Sequence, residues 1–177
     1  MSTWRRAQEL DPLAPIIRAA TGWSLFVARR YEEAIREAER ALELDPTFPV
    51  ALDVIGLASA KLSRHDRAIQ SLQKAIEASS GTRYHADLAL AYARAGRPDE
   101  ARATLAELDR LAKTRYMSPY YVATALAALG DREAAFARLE EGLADRSNAM
   151  TYLAVDPNLD DLRPDPRLDD LIRRVGL

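Results

Sequence analysis

The 177-residue sequence contains no cysteine and only two histidines, His65 and His85. Without cysteine there are no disulfides, no thiolate metal sites and no cysteine nucleophile, and two histidines leave little imidazole for a metal cluster. Basic residues give no surplus either: 25 Lys and Arg stand against 27 Asp and Glu, for a formal charge of -2. The salt-dependent attraction that dominates nucleic-acid affinity is therefore missing, and no polybasic tract is offered to anionic lipid. No stretch approaches the roughly 18 uncharged residues of a membrane span, and the opening residues Met1–Pro12 hold no apolar core of signal-peptide length. Seven glycines are too few and too scattered for a phosphate-cradling loop. These absences lead to the expectation of a cytoplasmic protein that needs no cofactor or metal. What is present is a globular balance of 48% hydrophobic and 29% charged residues, enough to bury a core in a chain of this length.

Within that balance lies a repeat. The run from Arg29 to Pro46 ends in Asp45-Pro46, and a second Asp-Pro, at Asp11-Pro12, stands one period earlier, the spacing of about 34 residues found in paired-helix repeats. Extending the frame gives four units near 15–48, 49–82, 82–115 and 116–149. Small residues recur in two columns, Gly22, Gly56, Ala89, Ala123 and Ala34, Ala68, Ala101, Ala135, where two helices of one hairpin must approach closely. Larger apolar residues fill columns such as Thr21, Ile55, Leu88, Val122 and Trp4, Ala38, Leu72, Leu105, Leu139. The turns fall at Arg29-Arg30, Ser63-Arg64, Gly96-Arg97 and Gly130-Asp131, two of them with the glycine expected after a helix end. Apolar residues recur at helical spacing with no alternating run long enough for a strand. Helices are expected near 15–29, 31–44, 48–61, 65–78, 83–95, 98–111, 118–129 and 132–144.

The Tyr31-Glu32-Glu33-Ala34 run, the closing Ala41-Leu42-Glu43-Leu44-Asp45-Pro46 run and the spacing through four units resemble the tetratricopeptide repeat family over about three quarters of the chain. Units two to four depart from its pattern, with His65, Pro98 and Arg132 in the Tyr31 column. The resemblance implies an all-α, right-handed superhelical solenoid of antiparallel helix pairs, the first helix of each pair lining a concave groove. Residues 1–14 align with the second half of a truncated repeat, Trp4 falling in the Leu72 column, and no partner helix precedes them. Such a helix cannot cover its own apolar face. Two readings stand: further units or another domain upstream, or a short protein that uses this helix as its cap.

After Ser147 the period dissolves, and 150–177 read as a capping tail. Asp156-Pro157 and Asp165-Pro166 each place a capping carboxylate before a proline at the first helical position. The second opens an amphipathic helix through Leu168, Leu171, Ile172 and Val175, with Arg173 and Arg174 in its last turn and Gly176 beyond. This tail is expected to pack on the final helix pair near Leu139 and Leu143, using Leu159, Leu162, Leu168, Leu171 and Ile172. The six aspartates from Asp156 to Asp170 could suggest a divalent-metal site, but an Asp-Pro pair is far more often a cap than a ligand, and no metal is expected there. The ending, with Arg115-Tyr116-Met117-Ser118-Pro119-Tyr120, looks like the C-terminal end of tetratricopeptide regions in bacterial multidomain signalling proteins. The 22 Arg against three Lys fit a GC-rich bacterial coding bias.

Carried onto this chain, the family's groove columns read Ile16, Val50, Arg83, Met117; Ala19, Asp53, Ala86, Tyr120; Trp23, Leu57, Leu90, Thr124; and Phe26, Ala60, Ala93, Ala127, bordered by Lys61, Asp87 and Arg94. The candidate binding residues are Trp23, Phe26, Val50, Asp53, Leu57, Lys61, Arg83, Asp87, Arg94 and Tyr120. Their mixed, apolar-leaning chemistry suits a partner peptide or helix with charged residues fixing its register. Trp23 serves equally well as a packing residue of the first hairpin. The Lys, Arg and Asn clamp with which some family members grip chaperone carboxylates is not matched, because the only asparagines are Asn148 and Asn158. Catalysis is not expected: neither histidine has an acid placed to orient it, and His65 and Asp66, as sequence neighbours, point away from one another on a helix. The resulting expectation is a protein-binding regulatory module of a larger bacterial protein. Self-association, including a homodimer through the Trp4 helix, is the competing reading, and a nucleic-acid-binding solenoid the remote one.

Overall fold

The structure, a computed structural model, describes residues 14–177. The expected half-repeat helix of residues 1–14, and with it the Trp4 dimer contact, lies outside the described residues but for Ala14. Among the described residues there are helices and turns and no strand: α1 Pro15–Val27, α2 Tyr31–Leu44, α3 Pro49–Lys61, α4 His65–Ala78, α5 Arg83–Arg94, α6 Pro98–Leu111, α7 Pro119–Ala128 and α8 Arg132–Ala144. Two 3-10 segments come next, Asn148–Tyr152 and Pro157–Leu162, and then α9 Pro166–Val175. The eight paired helices match the sequence expectation to within two residues at every end. Where a start moves by one, from 48 to Pro49 or from 118 to Pro119, the proline takes the first helical position, where a missing N–H costs nothing.

The first helices all end in the same way. Arg29, Ser63, Gly96 and Gly130 adopt left-handed φ values of 62, 57, 71 and 80°. Each donates its N–H to the carbonyl three residues back, while Arg30, Arg64, Arg97 and Asp131 donate to Leu25, Ser59, Tyr92 and Leu126, five residues back. This double closure satisfies the last carbonyls of the helix and reverses the chain. It is met twice by glycine and twice by residues that pay for a Cβ in that conformation.

The chain divides into two compact units, one ending at Tyr84 and the other running from His85 to Leu177. In the first, α1 packs on α2 and α3, α2 on α3, and α3 on α4. The small-residue columns explain how closely. A Cβ added at Gly56 would lie 2.5 Å from Leu72 Cγ, and one at Gly22 would lie 3.1 Å from the Ala34 carbonyl oxygen. Ala34 and Ala68 are fully buried at the facing positions. α3 is buried continuously from Ala51 to Ala60, so only its two ends reach solvent.

In the second unit Ala86, Leu108 and Val122 join α5, α6 and α7 in one cluster. A larger core gathers Tyr120, Ala123 and Ala127 of α7, Ala135, Phe136 and Leu139 of α8, and Leu153, Leu159, Leu162, Leu168 and Leu171 of the tail, with Leu143 packed at its edge. The tail thus meets the final pair at Leu139 and Leu143 as its sequence suggests. It also reaches α7, which the sequence does not reveal. Asp156 and Asp165 are caps: their carboxylates accept the N–H of Asn158 at 2.8 Å and of Arg167 at 3.0 Å. Outside the core, α9 is tied to α8 by two bidentate pairs, Arg167 to Glu133 and Arg174 to Glu140, and the Arg167 guanidinium stacks 4.1 Å from the Phe136 ring centre.

Candidate binding site

Of the four groove columns, only the first has no buried member. Ile16 is 52% exposed, and Val50, Arg83 and Met117 are half-buried. The other three columns are largely closed. Ala19, Asp53, Ala86 and Tyr120 are buried, as are Leu57, Leu90, Thr124, Phe26, Ala60 and Ala127, leaving Trp23 and Ala93 half-buried. The open apolar groove inferred from the sequence is therefore a filled one in this conformation.

In the first unit the candidate side chains partner one another. The Trp23 ring stacks on Phe26 with centroids 5.2 Å apart and planes 25° apart, and Phe26 in turn meets Tyr31 at 5.6 Å. Asp53, fully buried, is held by the Arg83 guanidinium, which also lies 5.1 Å over the Tyr84 ring. A buried carboxylate is tolerated only with such a partner, so Asp53 and Arg83 act as one group. Leu57 is only 2% exposed, and Lys61 is half-buried at the helix end.

In the second unit the filling can be named, because the chain supplies it. The segment from Asp156 to Leu162 lies against α7. Tyr120 donates its hydroxyl to the Asp156 carboxylate at 2.7 Å, and Leu159 and Leu162 beside it have no exposure. From α5, Arg94 forms an ion pair with Asp161, and Arg163 donates at 3.3 Å to the Asp156 carbonyl. Burial first, then the Asp156 charge and hydrogen bond, holds the Tyr120 phenol well above its ordinary value of 10.0, so it remains a donor. Asp87 is buried on α5 and adds to that effect. The sequence pointed to Arg94, Asp87 and Tyr120; it gave no sign of Asp156 and Asp161 as their counterparts, because an Asp-Pro pair already reads as a helix cap.

Among the described residues no group of three His, Asp or Glu side chains is placed to hold a metal ion, and no helix is long and apolar enough to cross a membrane.

Tetratricopeptide repeat models match residues 17–48 and 54–115, together more than half of the sequence, and the chain belongs to the tetratricopeptide repeat family. Repeats of this family are non-catalytic scaffolds for protein–protein interaction. No curated protein matches the sequence. Among solved structures, YrrB, described as a TPR protein with an unusual peptide-binding site, aligns over 98% of this chain and 91% of its own at 16% identity, with a TM-score of 0.56. The APC/C hetero-tetramer Cut9-Hcn1 aligns over 97% of this chain at 16% identity, with a TM-score of 0.65. The chain spans about a third of that protein, 35% of its length. At this identity the likeness establishes the fold, an all-α helical repeat.

Proposed function

We propose that the protein is a binding module that takes an extended or helical segment of a partner protein on faces presented by the first helices of its pairs. One observation carries this reading: in the second unit that face already holds a peptide-like segment, Asp156 to Leu162, through a hydrogen bond, an ion pair and two fully buried leucines. The half-exposed Trp23 and the exposed Ile16 offer apolar anchors on the first helix of the first unit. YrrB, of the same fold, is described with a peptide-binding site. In this reading residues 15–149 are the four repeats and 150–177 the tail that closes them. The module serves a larger, cytoplasmic bacterial protein as a regulatory part without catalysis of its own; the Arg-rich, Lys-poor composition and the form of the ending support that context.

The test is selection of short peptides from a random display library on the purified full chain. Enriched peptides should bind in solution and lose affinity at least tenfold with Arg94→Glu, a variant checked by circular dichroism for unchanged helicity. A library that yields no peptide above a non-binding helical control overturns the proposal.

A further inference from the structure

The segment Asp156–Leu162 has the character of a ligand more than of a structural helix. It is six residues of 3-10 geometry from Pro157, too short and too poorly hydrogen-bonded to persist by itself. Its shape is imposed by the helices it lies on. Its contacts alternate between charge and apolar burial: Asp156 to the Tyr120 hydroxyl, Leu159 into the core, Asp161 to Arg94, Leu162 into the core. The two leucines are three residues apart, and the two acids flank the first of them. The side chains that receive it come from α5 and α7, the first helices of two successive pairs.

The polar contacts of the segment are separate from those of α9, although its leucines share one core with Leu168 and Leu171. That helix holds to α8 through Arg167–Glu133 and Arg174–Glu140, and has its own cap at Asp165. Turns at 163–165 separate the two elements. The ion pairs that hold α9 to α8 use no residue of the 3-10 segment.

Resting on the binding-module reading above, we propose that Asp156–Leu162 is a built-in occupant of the recognition surface, and that the partner is a protein segment of the same chemistry: two acids flanking a leucine, with a second leucine three residues on. Binding such a partner exchanges the internal segment for the external one. Because a short tether presents the internal copy at millimolar effective concentration or above, the module is self-inhibited, and partners gain access as the tail is loosened.

The probe is a fluorescently labelled synthetic peptide with the sequence Val155–Arg163, titrated into the full-length chain. The tail is loosened by the double substitution Asp156→Ala and Asp161→Ala, which leaves Tyr120 and Arg94 in place. Anisotropy should show at least tenfold tighter binding to this variant than to wild type, and adding Tyr120→Phe with Arg94→Ala should return the affinity to the wild-type level. In wild type, saturating peptide should reduce amide protection across Leu159–Leu162 without changing that of α8. Equal affinities for wild type and the loosened variant overturn the proposal. If the loosened variant melts below the assay temperature, the exchange measurement on wild type decides: unchanged protection at saturating peptide overturns it. Library-selected peptides that bind the chain without competing against Val155–Arg163 also overturn it, while leaving the broader binding function intact.

Discussion

The Tyr120 hydroxyl donates to the Asp156 carboxylate at 2.7 Å, joining α7 to a segment 36 positions further along the chain, with both side chains within 2% of complete burial. The Asp156 carboxylate also accepts the Asn158 N–H, so one side chain both starts the 3-10 segment and fixes it to α7. Removing the hydroxyl leaves a buried carboxylate short of a donor, which costs about 1–3 kcal/mol. Tyr120→Phe should therefore lower the melting temperature by several degrees, at about 2–4 °C per kcal/mol for a chain of this size. Asp156→Asn keeps one acceptor, enough for the Asn158 N–H, but puts an amide N–H2 donor in place of the oxygen that takes the Tyr120 hydroxyl. It should therefore cost about as much as Tyr120→Phe, and a clearly smaller loss in differential scanning calorimetry would show that the Tyr120 bond contributes little.

Gly56 is a packing requirement. A methyl group there would lie 2.5 Å from Leu72 Cγ, at the branch point of a fully buried side chain with no room to turn. Gly56→Ala should destabilise by about 1–3 kcal/mol through overpacking, although alanine is the better helix former. Pairing it with Leu72→Ala should recover part of that loss, measurable as a non-additive double-mutant cycle by urea unfolding.

Ser63 is the opposite case. It sits at φ 57°, exposed, in a conformation that costs a residue with a Cβ about 1–2 kcal/mol. Glycine removes that strain and loses about 0.4–1 kcal/mol to the greater freedom of the unfolded chain. Ser63→Gly should stabilise by up to about 1.5 kcal/mol, seen as a rise in melting temperature. The same substitution at Ser71, which lies within α4, should instead lower it.

Acid should loosen α9 before it unfolds the repeats. The Arg167 side chain, then its backbone N–H, holds the Asp165 carboxyl down at about 2, from an ordinary 3.8. Glu133 and Glu140 are lowered in the same direction by hydrogen bonds from Arg167 and Arg174. Carboxyls with a depressed folded value contribute fully above about pH 4–5, where the unfolded chain is also ionised, and lose that contribution as pH falls toward 2. Amide exchange of α9, corrected for the intrinsic rate, should show protection falling between about pH 4 and pH 2. Asp165→Asn, which still caps, should flatten part of that dependence; an unchanged profile would assign the latch to the leucines alone.

The repeat was legible because one physical demand, close approach of paired helices, selects the same residue size every 33 or 34 positions. Gly22, Gly56, Ala89 and Ala123 announce it without reference to the rest. The turns were legible for the same reason. Access to the face was not, since periodicity states which side of a helix is apolar but not what covers it. Leu57 and Tyr120 sit in columns that read as groove, and both are buried. The cover over Tyr120 comes from beyond Ser147, where the period has ended and only pairwise chemistry at long separation, such as Tyr120 with Asp156, carries the information. Asp53 shows the same limit: its burial depends on Arg83, 30 positions away.

Glu133 and Glu140 are seven residues apart on α8, as are Arg167 and Arg174 on α9, and the lower-numbered members pair together. The two helices therefore run in the same direction, with a two-point match of charges that works like a key with two teeth. A slip of one turn, about 5.4 Å along the axis, would leave both arginines facing the wrong residues at once. The leucines beneath tolerate small slides, because apolar attraction is non-directional. The charges at the rim do not, so they select one axial position for a helix that burial alone would hold only loosely in place.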